Sequence, residues 1–394
     1  MTILSMLSEF EHAQAENKSQ LRQDLLYQLV SLSKSLPYPA SGHTYQRWQL
    51  FAQIAGYDLS LAKLFESHHD ALSILNELGY QDEIDDQTWA VWAADGGPAP
   101  VQVQNNHCNG IKTWCSGAEF IQKALMSYKD KEGQAQLCIV DLAHPSVHVD
   151  LSHWQAVGML GTQTAQVHFD NTPVIPIGLP NCYLERPGFW HGAAGVAACW
   201  YGAAVRLVSF LHKSCTLNPN AFKKMYLGEL AQQLSVTKQY FQYIAKLIDD
   251  EPALSHEREI RILRAQTEQC CQSVIQLVGK ALGARPYCEE PTFSQLIADL
   301  PVFIRQSHAA FDYESIAELC LPEKSLWGTL KHPLVEDRMI SGEGTPEFMW
   351  LEAFKKNPLD RLNLKLFQSK RVVIVAPHPD DEVLGCGGLI AAAS

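Results

Sequence analysis

The sequence predicts an α+β multidomain chain: an N-terminal helical domain, a small antiparallel β domain and a C-terminal four-helix bundle, then the first strand and helix start of an incomplete α/β domain. Three observations predict it. Apolar residues recur at helical spacing over 1–85, change to short alternating runs over 86–180, and return to helical spacing over 187–320. A Pro- and Gly-punctuated linker occupies 321–369. From 370 a β-branched run passes through a polar loop into a glycine-rich helix entry, and the sequence reaches Ser394 inside that helix.

In the first part, Leu21, Leu25, Leu29, Leu32 and Leu36 keep helical spacing until Pro37 and Pro39 interrupt it. A second helix carries Leu61, Phe65, His68, Leu72 and Leu75 along one stripe and closes at Gly79. His68 thus shares the direction of the leucines, while His69 and Asp70 are expected to face elsewhere. From Trp89 the period shortens. VQVQ from Val101, QLCIV from Gln136, VHVDL from Val147 and AQVHF from Ala165 alternate between turns rich in Gly, Pro and Asn. Pairing is expected to end at NTPVIPIG, where Pro173, Pro176 and Gly178 disfavour a ladder. Four helices follow. One, rich in small residues, runs from about Ala193 to Leu211. The next carries Leu234, Thr237, Phe241, Ile244 and Ile248, and the third Ile260, Leu263, Thr267, Cys270, Val274, Leu277 and Ala281. The last carries Leu300, Ile304, His308 and Phe311. Short connections between amphipathic helices predict an antiparallel bundle.

Composition removes several function classes. With 46% apolar and 19% charged residues the chain belongs with soluble globular proteins. Its formal charge of −12, without a basic stripe, speaks against nucleic-acid binding. The N-terminus lacks a basic flank and a signal-type apolar run, and no uninterrupted apolar run is long enough to span a bilayer. Eleven scattered cysteines without a Cys-x-x-Cys pair suit reduced thiols rather than a disulfide framework, so a cytoplasmic location without membrane attachment is expected.

Two stretches carry a resemblance. GIKTWCSGAEF (Gly110 to Phe120) resembles the Gly-x-Lys-x-Trp-x-Thr/Ser segment of the acyl-CoA dehydrogenases. GMLGTQTAQVHFDNTPV (Gly158 to Val174) resembles the strand pair that closes their β domain, and the likeness spans Leu21 to about Leu321. It implies an FAD-dependent oxidoreductase, with FMN the alternative, acting on a small-molecule or acyl-carrier substrate as a homo-oligomer, tetramer or dimer. The isoalloxazine ring is then expected between the β domain and the bundle. Trp114 would pack on the ring, Ser116 would bond its N5/O4 edge, and Cys115 lies between them in the same binding segment. An indole face is a flat apolar wall, and a hydroxyl beside an amide stabilises charge on a reduced ring. From spacing alone, Trp114 is equally a β-domain core residue and Ser116 a turn former.

The chain departs from that family where its catalytic glutamate is expected: the two places read SHAAFDYES and His191-Gly192, leaving Glu314 as a poorly matching base. The Arg-x-x-Phe-Gly segment that helps hold FAD is replaced by NPNAFKKMYLGEL. Flavin monooxygenases of the dibenzothiophene type, built on the same fold, instead place histidines on an early helix and on the last bundle helix. His68 in FESHHDAL and His308 in RQSHAAFD are similar, which implies a catalytic acid–base role for each. Both lie on apolar stripes and are expected to point inward, where a hydrogen-bonded core histidine is the other reading.

APHPDDEVLGCGG resembles the opening signature of LmbE/PIG-L-type zinc N-deacetylases, a likeness confined to the stretch from about Arg371. It implies His378 and Asp381 as Zn²⁺ ligands and Asp380 as general base. A loop just past a buried strand is where open α/β folds place ligands, and an open coordination position lets zinc activate water. The family's third ligand, a later histidine, has no counterpart before Ser394. Zinc and deacetylation are therefore expected only of a completed domain, and the chain is expected to be a fragment of a longer fusion. Three functions stand at this point: a flavin oxidoreductase, acting on acyl CH–CH groups or as a monooxygenase; a bifunctional parent with zinc deacetylase activity; and a scaffold without flavin.

Overall fold

The structure, a computed structural model, describes residues 2–321 apart from Asp95, Pro98 and Ala309, together with residues 351, 352, 355 and 356. The chain divides into two units, Met1–Pro322 and Glu323–Ser394, and every element named below belongs to the first. His378, Asp380 and Asp381 lie outside the described residues.

Four helices open the fold: α1 (Ile3–Glu11), α2 (Lys18–Leu32), α3 (Thr44–Ala55) and α4 (Leu59–Glu77). Leu25, Leu26 and Leu29 of α2 are buried, but Leu21 and Leu32 are exposed, because α2 covers only the edge of the layer. The apolar stripe Trp48, Phe51, Ile54 and Ala55 builds α3, a helix the periodicity reading did not single out. Asp58 caps α4 by accepting from Leu61 N–H at 2.7 Å, and Arg22 clamps the same carboxylate at 3.0 and 2.8 Å. Burial on several faces of α4 corrects one expectation. His69 does not face solvent: it is 3% exposed, edge-on to Phe65, with its Nε2 2.8 Å from Ser33 Oγ.

Seven strands follow: β1 (Trp89–Trp92), β2 (Gln102–Gln104), β3 (His107–Cys115), β4 (Lys123–Lys129), β5 (Ala135–Asp141), β6 (Val147–Asp150) and β7 (Ala165–Ile177). Their order is β1-β4-β5-β7-β3-β2, with β6 also on β7. The sheet is mixed rather than purely antiparallel, since β1 runs parallel to β4 (Trp89 opposite Lys123). The β2–β3 excursion between them is long enough for a parallel return. β7 also continues through Pro173 and Pro176 to Ile177, past the expected end. Beyond Pro173 it is bordered by β5, while its pairing with β3 spans residues 165–173. A proline nitrogen facing an unpaired edge removes no ladder bond.

The remaining helices are α5 (Cys182–Glu185), α6 (Gly188–Leu217), α7 (Ala221–Asp250), α8 (Glu257–Leu282), α9 (Arg285–Glu289), α10 (Pro291–Phe303) and α11 (Ala310–Cys320). Helices α6, α7, α8 and α10 form the bundle, and α3 and α4 pack against α6. Small residues on α6 allow this close approach: a Cβ on Gly202 would lie 2.0 Å from the Ala52 carbonyl oxygen of α3. Among the described residues α6 alone is long and apolar enough to cross a membrane, and most of that stretch is buried in the bundle. The last helix departs from expectation. α10 ends at Phe303, a 3-10 turn covers Ile304–Gln306, and a new helix begins at Ala310. The stripe through Leu300 and Ile304 is buried, but it does not continue to His308 and Phe311, both of which are exposed.

Candidate active site

A cavity of about 670 Å³ opens at the seam between the sheet and the end of α10. That is a volume suited to a cofactor or drug-sized ligand. Its sheet-side wall begins with an irregularity in β3. Lys112 pairs with Val167 and Cys115 with Ala165, so β3 spends one residue more than β7 over this stretch. The bulge puts Trp114 at φ +62°, a conformation costing an L-residue about 1–2 kcal/mol. Its effect is to turn the indole off the sheet: Trp114 is 64% exposed, lines the cavity, and meets Trp154 edge-to-face at 6.2 Å.

Below it lies a chain of hydroxyls. Ser116 Oγ is 3.2 Å from Thr164 Oγ1, which is 2.8 Å from Thr162 Oγ1, which donates to the Met159 carbonyl at 2.7 Å. Trp92 Nε1 donates to the Ser116 carbonyl at 3.1 Å and fixes the turn from behind. All three hydroxyl residues line the cavity. Trp154 contributes a buried indole N–H with no partner among the described residues. Buried donors are normally satisfied, so this one fits an acceptor supplied by a ligand.

The loop running from His153 to Met159 closes the cavity and is anchored to α10. Met159 N–H donates to Asp299 Oδ1 at 2.5 Å, and Gln295 Nε2 donates to the same oxygen at 2.8 Å. Burial pushes the Asp299 carboxyl up to about 6, against the Met159 bond that favours its charged form, and Asp58 nearby adds to the rise. Gly158 lies so close to α10 that a Cβ would stand 2.0 Å from the Ala298 carbonyl oxygen. Lys63 of α4 completes the wall, paired at 3.1 Å with Glu66, whose carboxyl burial raises while Lys63 opposes the rise.

The sequence-derived candidates are placed unequally. Trp114 and Ser116 meet in this cavity, and Trp114 is not a core residue. Cys115 is turned the other way: its thiol is fully buried and bonds the Lys112 carbonyl at 3.3 Å, with burial raising its pKa, so the side chain cannot reach a ligand at the seam. The bulge that turns Trp114 outward leaves Cys115, which pairs with Ala165, facing the sheet interior. His68 is buried as expected, but it lines a different cavity of about 500 Å³, beside Tyr27, Lys34, Thr88 and Gln122. Its Nδ1 accepts from Trp89 N–H at 3.1 Å, and burial, with Arg47 second, pushes it down to about 4. His308 does not point inward: it is exposed after the helix break, its backbone N–H held by Asp312 at 3.0 Å. Glu314 is exposed on α11. The two histidines therefore do not share the seam cavity. Lys63, Glu66, Trp154, Thr162, Thr164 and Asp299 were missed. The one local signal was a Lys–Glu pair at i, i+3 within an otherwise apolar helix stretch. Among the described residues no group of three His, Cys, Asp or Glu side chains is placed to hold a metal.

No family model matches this sequence. No curated protein sequence matches it either. Solved structures do match. KijD3 in complex with FMN and a dTDP-linked amino-keto sugar superposes with a TM-score of 0.68 at 15% identity, covering 81% of this chain and 92% of that one. TdsC from Paenibacillus sp. A11-2 with FMN and indole gives 0.64 at 13% identity, covering 81% and 96%. Butyryl-CoA dehydrogenase from Megasphaera elsdenii gives 0.67 at 12% identity, covering 81% and 97%. At these identities the likeness is one of fold, and the fold is that of the acyl-CoA dehydrogenase-like proteins.

Proposed function

We propose that the chain is a flavin-dependent oxidoreductase that binds its isoalloxazine ring in the seam cavity. The observation that carries this reading is Trp114: a strained bulge holds a large indole out of the sheet and into a cavity of about 670 Å³. Strain of this kind persists where a site requires it. KijD3 and TdsC, which share the fold, are described with FMN, and this supports a flavin here, FMN as readily as FAD. When bound, the flavin would supply two-electron redox chemistry. Trp114 would cover one face of the ring and exclude water. The linked hydroxyls of Ser116, Thr164 and Thr162 would hold a proton at the ring edge.

Of the two reaction types, reduced-flavin monooxygenation is better supported than acyl dehydrogenation. Among the described residues no Asp or Glu lines the seam cavity to abstract a substrate proton, and Glu314 is exposed. TdsC is described as a dibenzothiophene monooxygenase. Neither His308 nor His68 lines the seam cavity, so this reading gives proton handling at the ring to the hydroxyl chain. A small-molecule substrate, a homo-oligomeric assembly and a cytoplasmic location belong to the same reading.

The test is titration of the purified chain with FMN and with FAD, following the visible flavin bands and flavin fluorescence. Binding is expected, and Trp114→Ala should weaken it at least about tenfold, the worth of one stacking contact. No binding of either flavin supports the scaffold reading instead. The second reading, a zinc N-deacetylase parent, rests on the APHPDDE motif. It predicts zinc-dependent deacetylation by a chain in which that domain is complete, abolished by His378→Ala, and activity unchanged by that substitution removes it.

A further inference from the structure

Two of the groups lining the seam cavity are cations, and both are built alike. Lys63 Nζ lies 3.1 Å from Glu66 Oε2, with side-chain exposures of 14% and 4%. Arg305 lies 2.6 Å from Glu268 Oε1, with side-chain exposures of 56% and 9%. In each pair the carboxylate is buried in the helix packing, and only the cation reaches the cavity lining. Among the described residues no Asp or Glu lines the cavity, although the chain carries 43 acidic residues against 31 basic ones. The rest of the wall is largely apolar, and its polar groups include the Ser116 and Thr164 hydroxyls and the unpartnered Trp154 N–H.

We propose that Lys63 and Arg305 form an oxyanion-binding wall, so that a ligand filling this cavity carries a phosphate or carboxylate group. A carboxylate buried behind each cation holds it at the wall by a charge-assisted hydrogen bond. An ammonium has three donors and a guanidinium five, so one bond to Glu66 or Glu268 leaves others for a ligand. At Lys63, the more buried of the two, this attraction is screened less than in bulk water. The inference rests on the flavin reading for what shares the cavity, and the oxyanion has two sources: the phosphate of the cofactor itself, or an acidic group on the substrate beside the ring.

Two matched probe pairs separate these sources. Riboflavin and FMN have the same ring and differ by the phosphate; benzamide and benzoate are of similar size and differ in charge. Dissociation constants are measured on the full chain by flavin fluorescence and by tryptophan fluorescence. They are repeated in Lys63→Met, Lys63→Arg, Arg305→Met, the double variant Lys63→Met/Arg305→Met, which removes both cations, and Lys63→Met/Glu66→Gln, which removes one cation without stranding its buried partner. FMN favoured over riboflavin by about tenfold or more, the worth of one charge-assisted hydrogen bond, assigns the anion to the cofactor. Equal flavin affinities with benzoate favoured over benzamide assign it to the substrate. In either case the preference should shrink in the Met variants and survive in Lys63→Arg. Equal affinity within both pairs in the unmodified chain overturns the proposal, as does a preference that persists when both cations have been removed. If neither flavin binds, the function reading fails, while the benzoate and benzamide arm still decides the wall.

Discussion

Helix α4 separates two cavities that the same stretch of sequence helps to line, and they are opposites in construction. The seam cavity of about 670 Å³ is shaped by backbone: a bulge at Trp114, a left-handed Met159 at φ +59°, and Gly158 pressed against α10. The cavity of about 500 Å³ beside His68 is lined by side chains of α2, of α4 and of the 84–88 connection, with Lys34–Asp86 and Lys123–Asp85 ion pairs near its rim. Lys63 belongs to the first and His68 to the second. Five positions on a helix place them about 140° apart, on different faces. The imidazole that a family likeness assigns to catalysis serves instead as an acceptor for Trp89 N–H, the first residue of β1. The lesson is that an inward-facing residue need not face the site.

Four substitutions test that contrast, from the largest effect downward. Gly158→Ala forces a methyl against the Ala298 carbonyl and should destabilise the chain by up to about 3 kcal/mol, as overpacking does. Flavin binding should weaken with it, because the 153–159 loop must move away from α10. An unchanged melting temperature would show that the loop is not pressed there. His68→Ala should cost about 1–2 kcal/mol by leaving Trp89 N–H buried without its acceptor, yet leave flavin affinity unchanged. A fall in flavin affinity would join the two cavities. The same residue carries a pH signature. Its folded pKa is held below the usual 6.5, at about 4, so the unfolded chain takes up the proton first. Stability is then full above about 6.5 and declines by about 3 kcal/mol as pH falls through that window to about 4. His69, lowered for the same reason of burial, acts in the same direction. In His68→Asn, which keeps an acceptor for Trp89, the decline measured by denaturant melts at each pH should be smaller. Smallest is His308→Ala, expected within about 0.5 kcal/mol of the unmodified chain and without effect on flavin binding. A large loss there would restore the histidine to the site.

Much of the fold was legible because the bundle helices bury one face at a constant period. Thr237, Phe241, Ile244 and Ile248 on α7, and Ile260, Leu263, Thr267, Cys270 and Val274 on α8, all lie in the core. The cofactor segment was legible in part. Trp114 and Ser116 share a cavity, but Cys115 between them is turned into the sheet core beside a bulge that no local pattern announces. His308 failed for a different reason. Its inward orientation was extrapolated along a helix that ends at Phe303, just after Pro301, so the period no longer applied. Lys63 and Asp299 were not legible because their importance comes from elements distant in sequence: a cavity wall for one, the Met159 N–H 140 residues away for the other.

The sequence by itself determined the succession of helices, strands and helices, since local periodicity encodes which face of each element is apolar. Tertiary structure alone decided which polar side chains share a cavity. That depends on where α10 stops, where β3 bulges and how closely Gly158 approaches its neighbour, and each is a contact between segments that no local pattern encodes.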